Sequence, residues 1–271
     1  MKTNKIERKG RMPIVVTVIV ALGLLGVGAV VCYDKLKGIY LEQCVITDMA
    51  EQVSITSGKM VKADVIAENL GLRKGANLAT IDFSEKRREL LAKVPNLRSI
   101  RISRQLPDKV TVVAEERTPV ARLGLVKAQD QSGRVVDTEG MVFVWQRGTQ
   151  TLPLIREVQA PGTLRGNLIA GRPRAALRLA EFCREAEFLE LGLLEVDTSK
   201  RDFLVATLGN YSKLKILWTG MDEAPTPESD ADLKKRLTQL RDAMRTKIVP
   251  NAVIWNATIP DRIFPDTQEK L

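Results

Sequence analysis

Few residues in this chain have the types and spacing that chemistry requires, and each lacks a second partner. Histidine is absent from all 271 residues. That removes the commonest general base, the Ser-His and Cys-His nucleophile pairs, and every histidine-containing metal site. Glu115 and Glu116 are adjacent carboxylates of the kind an acid/base mechanism uses. On a strand, neighbours point to opposite faces, so the two cannot converge on one substrate atom. Thr56-Ser-Gly-Lys59 has the end of a phosphate loop without its upstream glycine, and Met60 stands where a hydroxyl would hold magnesium. Met221-Asp-Glu-Ala-Pro225 lacks the alternating oxygen ligands of a calcium loop. No serine–lysine hydrolase site is expected either. These residues are read as structural, which leaves binding as the function to look for.

Charge and cysteine usage narrow the partners. The net charge is +9, a balance that raises nucleic acid as a partner. Lys2, Lys5, Arg8, Lys9 and Arg11, against Glu7 alone, put much of it ahead of the first apolar run. The rest is spread over solvated positions. Only 4% of residues are aromatic, with no basic and aromatic interleaving on which bases would stack. A run at Glu85-Lys-Arg-Arg88, with Arg98, Arg101 and Arg104, is either a recognition surface or solvated faces. Cys32, Cys44 and Cys183 form no CxxC and no disulfide framework, although a Cys44–Cys183 bridge stays open. Cys183 falls on the apolar stripe of an expected helix, as a small core residue does.

From Ile14 to Tyr33 there is no charge. About 20 residues at 1.5 Å each cover roughly the 30 Å of a bilayer core, so this segment is expected to be a transmembrane helix. The basic cluster upstream keeps residues 1–13 in the cytoplasm and sends the remainder across the membrane. A cleaved signal peptide, with Val27-Gly-Ala29 as its site, is the rival reading. Residues 34–50 have no sustained period and read as a linker.

The elements that follow alternate clearly. Gln52-Val-Ser-Ile-Thr56 is a short half-buried strand. Lys62 to Leu70 is helical, with Val65, Ile66, Asn69 and Leu70 at three- and four-residue spacing and Gly71 to cap it. Asp82 and Glu85 open a second helix whose Leu90 and Leu91 turn inward, and Pro95 stops it. Strands at Leu97–Arg104 and Lys109–Arg117 are joined through Pro107-Asp108. The order is strand, helix, helix, strand, strand.

That order carries four motifs: Ala76-Asn-Leu-Ala-Thr-Ile-Asp82, Val94-Pro-Asn-Leu97, Arg104-Gln-Leu-Pro107 and Glu116-Arg-Thr-Pro-Val-Ala121. In succession they resemble a POTRA module, and more narrowly the FtsQ/DivIB family of bacterial cell-division proteins. The resemblance implies an α+β protein: a single N-terminal transmembrane helix, a βααββ POTRA-like domain over 51–119, and a larger mixed domain over 120–265 followed by a tail, 266–271.

The second domain shows short strands at Val120–Val126, Val135–Asp137 and Met141–Trp145, the first two separated by a Gln131–Arg134 turn. A helix is expected from Pro173 to Leu191, stopping at Gly192, with Ala176, Leu179, Ala180, Cys183 and Ala186 as its buried stripe. Strands at Leu193–Thr198, Phe203–Leu208 and an amphipathic Lys213–Trp218 come next. Ser229 and Asp232 cap a helix with Leu233, Leu237, Leu240 and Met244 inward. Ala252–Ile259 is similar to the family's closing strand, with Asn256 where Asp is common and Ile259 where Tyr is common.

What the resemblance implies is assembly by binding, with no reaction and no cofactor, metal or small-molecule substrate. The family links early cytoplasmic division components to septal wall synthesis at the division site of the inner membrane. Its partners are FtsB/FtsL-like coiled-coil subunits, docked where the second domain's terminal strands leave a sheet edge. In this chain the corresponding residues are Trp255, Asn256, Ala257, Thr258 and Ile259, then Arg262, Ile263 and Phe264. A POTRA-containing translocation or envelope-assembly factor, and a wall-modifying enzyme, are the alternatives. The first would bring tandem modules or a barrel, and the second a converging nucleophile and base.

Overall fold

The computed structural model describes residues 22, 30–124, 133–145, 148–156, 164–246 and 253–266. The cytoplasmic tail and most of the expected Ile14–Tyr33 anchor lie outside these, as do residues 267–271. Among the described residues no helix is long and apolar enough to cross a membrane. The chain divides into two compact units: Met1–Lys93 with Ser99–Glu115, and Val94–Arg98 with Glu116–Leu271.

The first unit begins with α1, over residues 30–43, so the expected linker is helical for most of its length. Its last turn is tied down by Asn77, whose Nδ2 donates to Leu41 O at 2.8 Å. Cys44 and Ile46 then enter the core. Asp48 caps a single turn, α2 (Met49–Gln52), and Gln52 Oε1 accepts from the backbone N–H of Thr47 and Asp48.

Then come β1 (Val53–Thr56), α3 (Ala63–Leu70), α4 (Phe83–Lys93), β2 (Leu97–Gln105) and β3 (Lys109–Glu116). The sheet order is β1-β3-β2, with β1 parallel to β3. Caps set both helices. Gly71 ends α3 at φ 73°, a conformation that favours glycine. Asp82 Oδ1 accepts from the N–H of Glu85 and Ser84 to start α4, and these two bonds hold its carboxyl below the usual range. Ile66 and Leu70 face inward as expected, but Val65 is exposed, and Asn69 donates to its carbonyl. Leu90 and the unforeseen Phe83 are buried, while Leu91 is only half-buried.

The second unit is built on a nine-stranded sheet of order β14-β13-β12-β11-β10-β7-β4-β5-β6. Its strands are β4 (Ala121–Gly124), β5 (Arg134–Val136), β6 (Val142–Val144), β7 (Leu154–Arg156), β10 (Glu195–Asp197), β11 (Leu204–Thr207), β12 (Lys213–Ile216), β13 (Ile254–Ala257) and β14 (Phe264–Pro265). A two-stranded hairpin, β8 (Leu164–Arg165) with β9 (Leu168–Ile169), stands beside it. Register aligns one row of core side chains across six strands: Leu123, Ile155, Val196, Ala206, Leu214 and Trp255. Two helices, α5 (Arg172–Cys183) and α6 (Pro227–Arg245), contribute to the same core.

Three expectations are corrected here. The Pro173–Leu191 helix ends at Cys183, where the N–H of Arg184 and Glu185 bond three residues back, to Glu181 and Phe182. Ala186 is therefore exposed, and a 3₁₀ turn at Leu189–Leu191 reaches Gly192. The reason is Phe188, which is fully buried. The turn after Cys183 brings it into the core that α5 also joins. Next, α6 starts at Thr226, whose Oγ1 accepts from Ser229 N at 3.1 Å, ahead of Pro227 at the first helical position. Finally, Lys213–Trp218 does not alternate cleanly, because Lys215 is buried along with Leu214 and Ile216. A central strand covered on both faces leaves no solvated side.

Candidate functional site

A sheet edge can accept a partner strand only if its outward backbone groups are free. At one end of the large sheet they are largely taken. The Trp145 N–H bonds Gly133 O, so Val142 and Val144 turn their backbone groups outward. Val142 N then donates to Asn167 O at 2.7 Å, and Val144 O accepts from Asn96 Nδ2 at 2.8 Å.

The other end is β14, and among the described residues no strand lies beyond it. It pairs antiparallel with β13, Trp255 opposite Pro265 and Asn256 opposite Phe264, and Asp266 N donates to Ile254 O at 2.9 Å. Alternation therefore turns the Phe264 N–H inward and the Ile263 N–H outward. At position 265 the outward donor is missing, since proline has none.

The eight residues expected at this edge separate into distinct roles. Trp255 and Ala257 are buried core side chains in β13, which is an interior strand. Asn256 and Phe264 share the opposite face, and Asn256 Oδ1 accepts from the N–H and hydroxyl of Thr258, closing the strand with an Asx turn. Only an acceptor oxygen is needed there, so Asn serves where Asp is common. Ile259 and Arg262 are exposed beyond the strand, and Ile263 is half-buried against the core. Of the two expected segments, Ile263 and Phe264 thus lie at the outermost strand, and Trp255–Ala257 on the strand just inside it.

Two buried cations hold this corner, and neither was foreseen. Lys215 Nζ pairs with Asp266 Oδ2 at 2.8 Å. Arg236 donates to Ala257 O at 2.8 Å and Ile259 O at 3.1 Å while pairing with Asp232. Asp232 in turn accepts from the N–H and hydroxyl of Thr219. Burial works against its charge, yet the bonds from Thr219 and Arg236 outweigh that and leave its pKa below the usual range. The signal for Arg236 was in the sequence: it lies three residues after Leu233 and four before Leu240, on the apolar stripe.

Chemistry at the other candidates is blocked by geometry. Glu115 is exposed and accepts from Ser99 Oγ at 3.0 Å, whereas Glu116 is half-buried on the other face. Ser212-Lys-Leu-Lys215 does have the Ser-x-x-Lys spacing, against the expectation of none. Ser212 Oγ bonds Asn210 Oδ1 at 2.6 Å and Lys215 bonds Asp266, on opposite faces of the strand. All three cysteines are free, and burial pushes the Cys183 thiol up to about 12. Among the described residues no cluster of His, Cys, Asp or Glu could hold a metal. The basic run is partly used internally: Arg104 donates to Ile81 O and lies 4.5 Å over Phe83, Arg98 pairs with Glu139, and Lys86 pairs with Glu89.

The family described as "POTRA domain, FtsQ-type" matches residues 49–117. The chain carries an FtsQ-type POTRA domain. This supports the FtsQ/DivIB-like resemblance read from the four motifs, and the mixed α+β architecture accords with it. An FtsQ-type POTRA domain suggests a divisome-associated scaffold that works through protein–protein interaction. No curated protein matches the chain.

Acid sensitivity follows from the same contacts. Glu139, bonded by Arg117 and Arg98, and Asp232 both lie below the ordinary carboxylate range. A depressed folded-state pKa means that the unfolded chain binds more protons, so the stabilisation is present above the unfolded value and is lost as pH falls. Urea midpoints are expected to hold from about pH 7 to 5 and to drop below about pH 4. A midpoint that stays level down to pH 3 would show that these pairs do not stabilise the fold.

Proposed function

We propose that the protein is a non-enzymatic scaffold of the bacterial divisome. Residues 14–33 anchor it in the inner membrane, the N-terminus stays in the cytoplasm, and both units are extracytoplasmic. It links cytoplasmic division components to septal wall synthesis by binding membrane division proteins, FtsB/FtsL-like coiled-coil subunits among them. The observation that carries this reading is the FtsQ-type POTRA domain at residues 49–117. The open β14 edge supports strand addition as the mode of binding: a partner strand would donate to the Pro265 carbonyl and accept from the Ile263 N–H.

The test is the position of a fluorescent label on Met1 in dividing cells. A band at the division site is the expected result, and a uniform envelope signal from a functional fusion would sink the proposal. Within a positive result, Ile263→Pro removes the outward donor. One lost main-chain bond at about 1 kcal/mol predicts partner capture roughly fivefold weaker with far-UV circular dichroism unchanged. A proline at Ala257 would instead break an interior pairing, because Ala257 pairs with Ile216 inside the sheet.

A further inference from the structure

The outermost strand of the large sheet is too short to hold itself in place. β14 has two residues, and its ladder with β13 rests on the Asn256–Phe264 pair and on Asp266 N, which donates to Ile254 O at 2.9 Å. A main-chain bond contributes, net, no more than fixing one residue's backbone costs, and everything from Thr258 to Asp266 must be fixed to form these. Other contacts must keep the strand down.

Two buried cations bracket this stretch. Arg236 holds its start through Ala257 O and Ile259 O, and Lys215 holds its end through Asp266. The arginine serves the interior strand as much as the edge, since Ala257 belongs to β13. The lysine does something different. Register places Lys215, Asn256 and Phe264 on one face of three successive strands, and alternation puts Asp266 on that face too. Lys215 therefore passes across β13 and ends on β14, joining two strands that are not neighbours. Its side chain is 9% exposed and that of Asp266 16%, so water competes little for either charge. On a strand whose flanking Leu214 and Ile216 are buried, an aliphatic residue would fill the position. The ammonium gives it a bond to Asp266 that an aliphatic residue would not.

We infer that Lys215 is the positioning residue of the β14 edge. By fastening Asp266 it keeps Ile263 to Pro265 extended, with the Ile263 N–H and the Pro265 carbonyl turned outward in the register that a partner strand needs. The inference rests on β14 being the docking edge proposed above. Lys215 itself touches no partner strand, because it is buried on the strand two places inside that edge.

The test uses the full chain in detergent micelles with Lys215→Met, which keeps most of the side chain's length and removes its charge. The Asp266 carboxylate then loses the ammonium and regains water by lifting β14 away, while the interior strands stay paired. Amide hydrogen exchange in fragments spanning Phe264 and Asp266 is expected to quicken about tenfold or more, with β11 and β12 within about twofold of the parent, the pattern of local opening. Capture of the co-expressed coiled-coil subunits should weaken by the factor to which the closed strand is depleted, again about tenfold. Adding Asp266→Leu replaces the ion pair by an apolar one, which should return both exchange and capture toward the parent. Unchanged exchange in Lys215→Met overturns the inference and leaves the docking edge untouched, and faster exchange throughout β11 and β12 overturns it too, as the mark of a general structural role. Capture that stays low after the double substitution has restored slow exchange would mean that the charge itself recruits the partner, which also defeats a positioning role. Opening confined to β14 with capture undiminished, in this variant and in Ile263→Pro alike, would instead defeat the docking edge and the role built on it.

Discussion

Arg236→Ala is expected to destabilise the second unit by about 3–5 kcal/mol, the range for removing one partner of a buried ionic network. The guanidinium is 4% exposed and satisfies three acceptors at once: Ala257 O, Ile259 O and the Asp232 carboxylate. Alanine leaves two carbonyls and a charge without it in a poorly hydrated corner. With a urea dependence of about 2 kcal/mol per molar, the unfolding midpoint should fall by roughly 2 M. Arg236→Lys should recover little of this, since one ammonium cannot reach along the fork of directions that a guanidinium covers. The control is Lys235–Asp261, a 2.6 Å pair in which both side chains are more than half exposed. Breaking that one should change stability by no more than about 0.5 kcal/mol. If Arg236→Ala costs under about 1 kcal/mol, water enters and replaces the guanidinium, and the corner is less sealed than its burial indicates.

Phe188→Ala should cost a similar amount, about 3–5 kcal/mol, through lost transfer free energy and the cavity left behind. The ring is fully buried in the main core, with the Arg241 guanidinium 5.9 Å from its centroid. Phe188→Leu retains most of the volume and should cost about 1.5 kcal/mol or less. Equal losses for alanine and leucine would point to a requirement for the ring itself, through its contact with Arg241.

The parts of the fold that were readable in advance are those fixed by local chemistry. Gly71, Asp82 and Pro95 act within one turn of where they stand, so the POTRA helices and their order came directly from the sequence. Errors arose wherever a distant contact decided. The α5 end depends on Phe188 reaching a core assembled from other elements. Lys215 broke an alternating pattern because Asp266, 51 residues away, meets it under the sheet. The expected edge took in both Trp255–Ile259 and Arg262–Phe264, because nothing local announces that the two residues of β14 would cover the first segment. In α1 an assumed boundary divided one helix: Tyr33 counted as the end of an anchor and Leu36 and Tyr40 as linker.

Two of the three acceptors of Arg236 and the partner of Lys215 follow α6 in the chain, at Ala257, Ile259 and Asp266. During synthesis, then, most of the second unit emerges before the carboxylate that pairs with Lys215 and the carbonyls that complete the shell of Arg236. Until β13 arrives, β12 lacks one neighbour and the cation-bearing corner stays hydrated, so this unit completes itself late rather than strand by strand. A chain cut anywhere between α6 and β13 would therefore keep its helices and lose the strand that closes its core, which makes it a better substrate for proteases than for assembly.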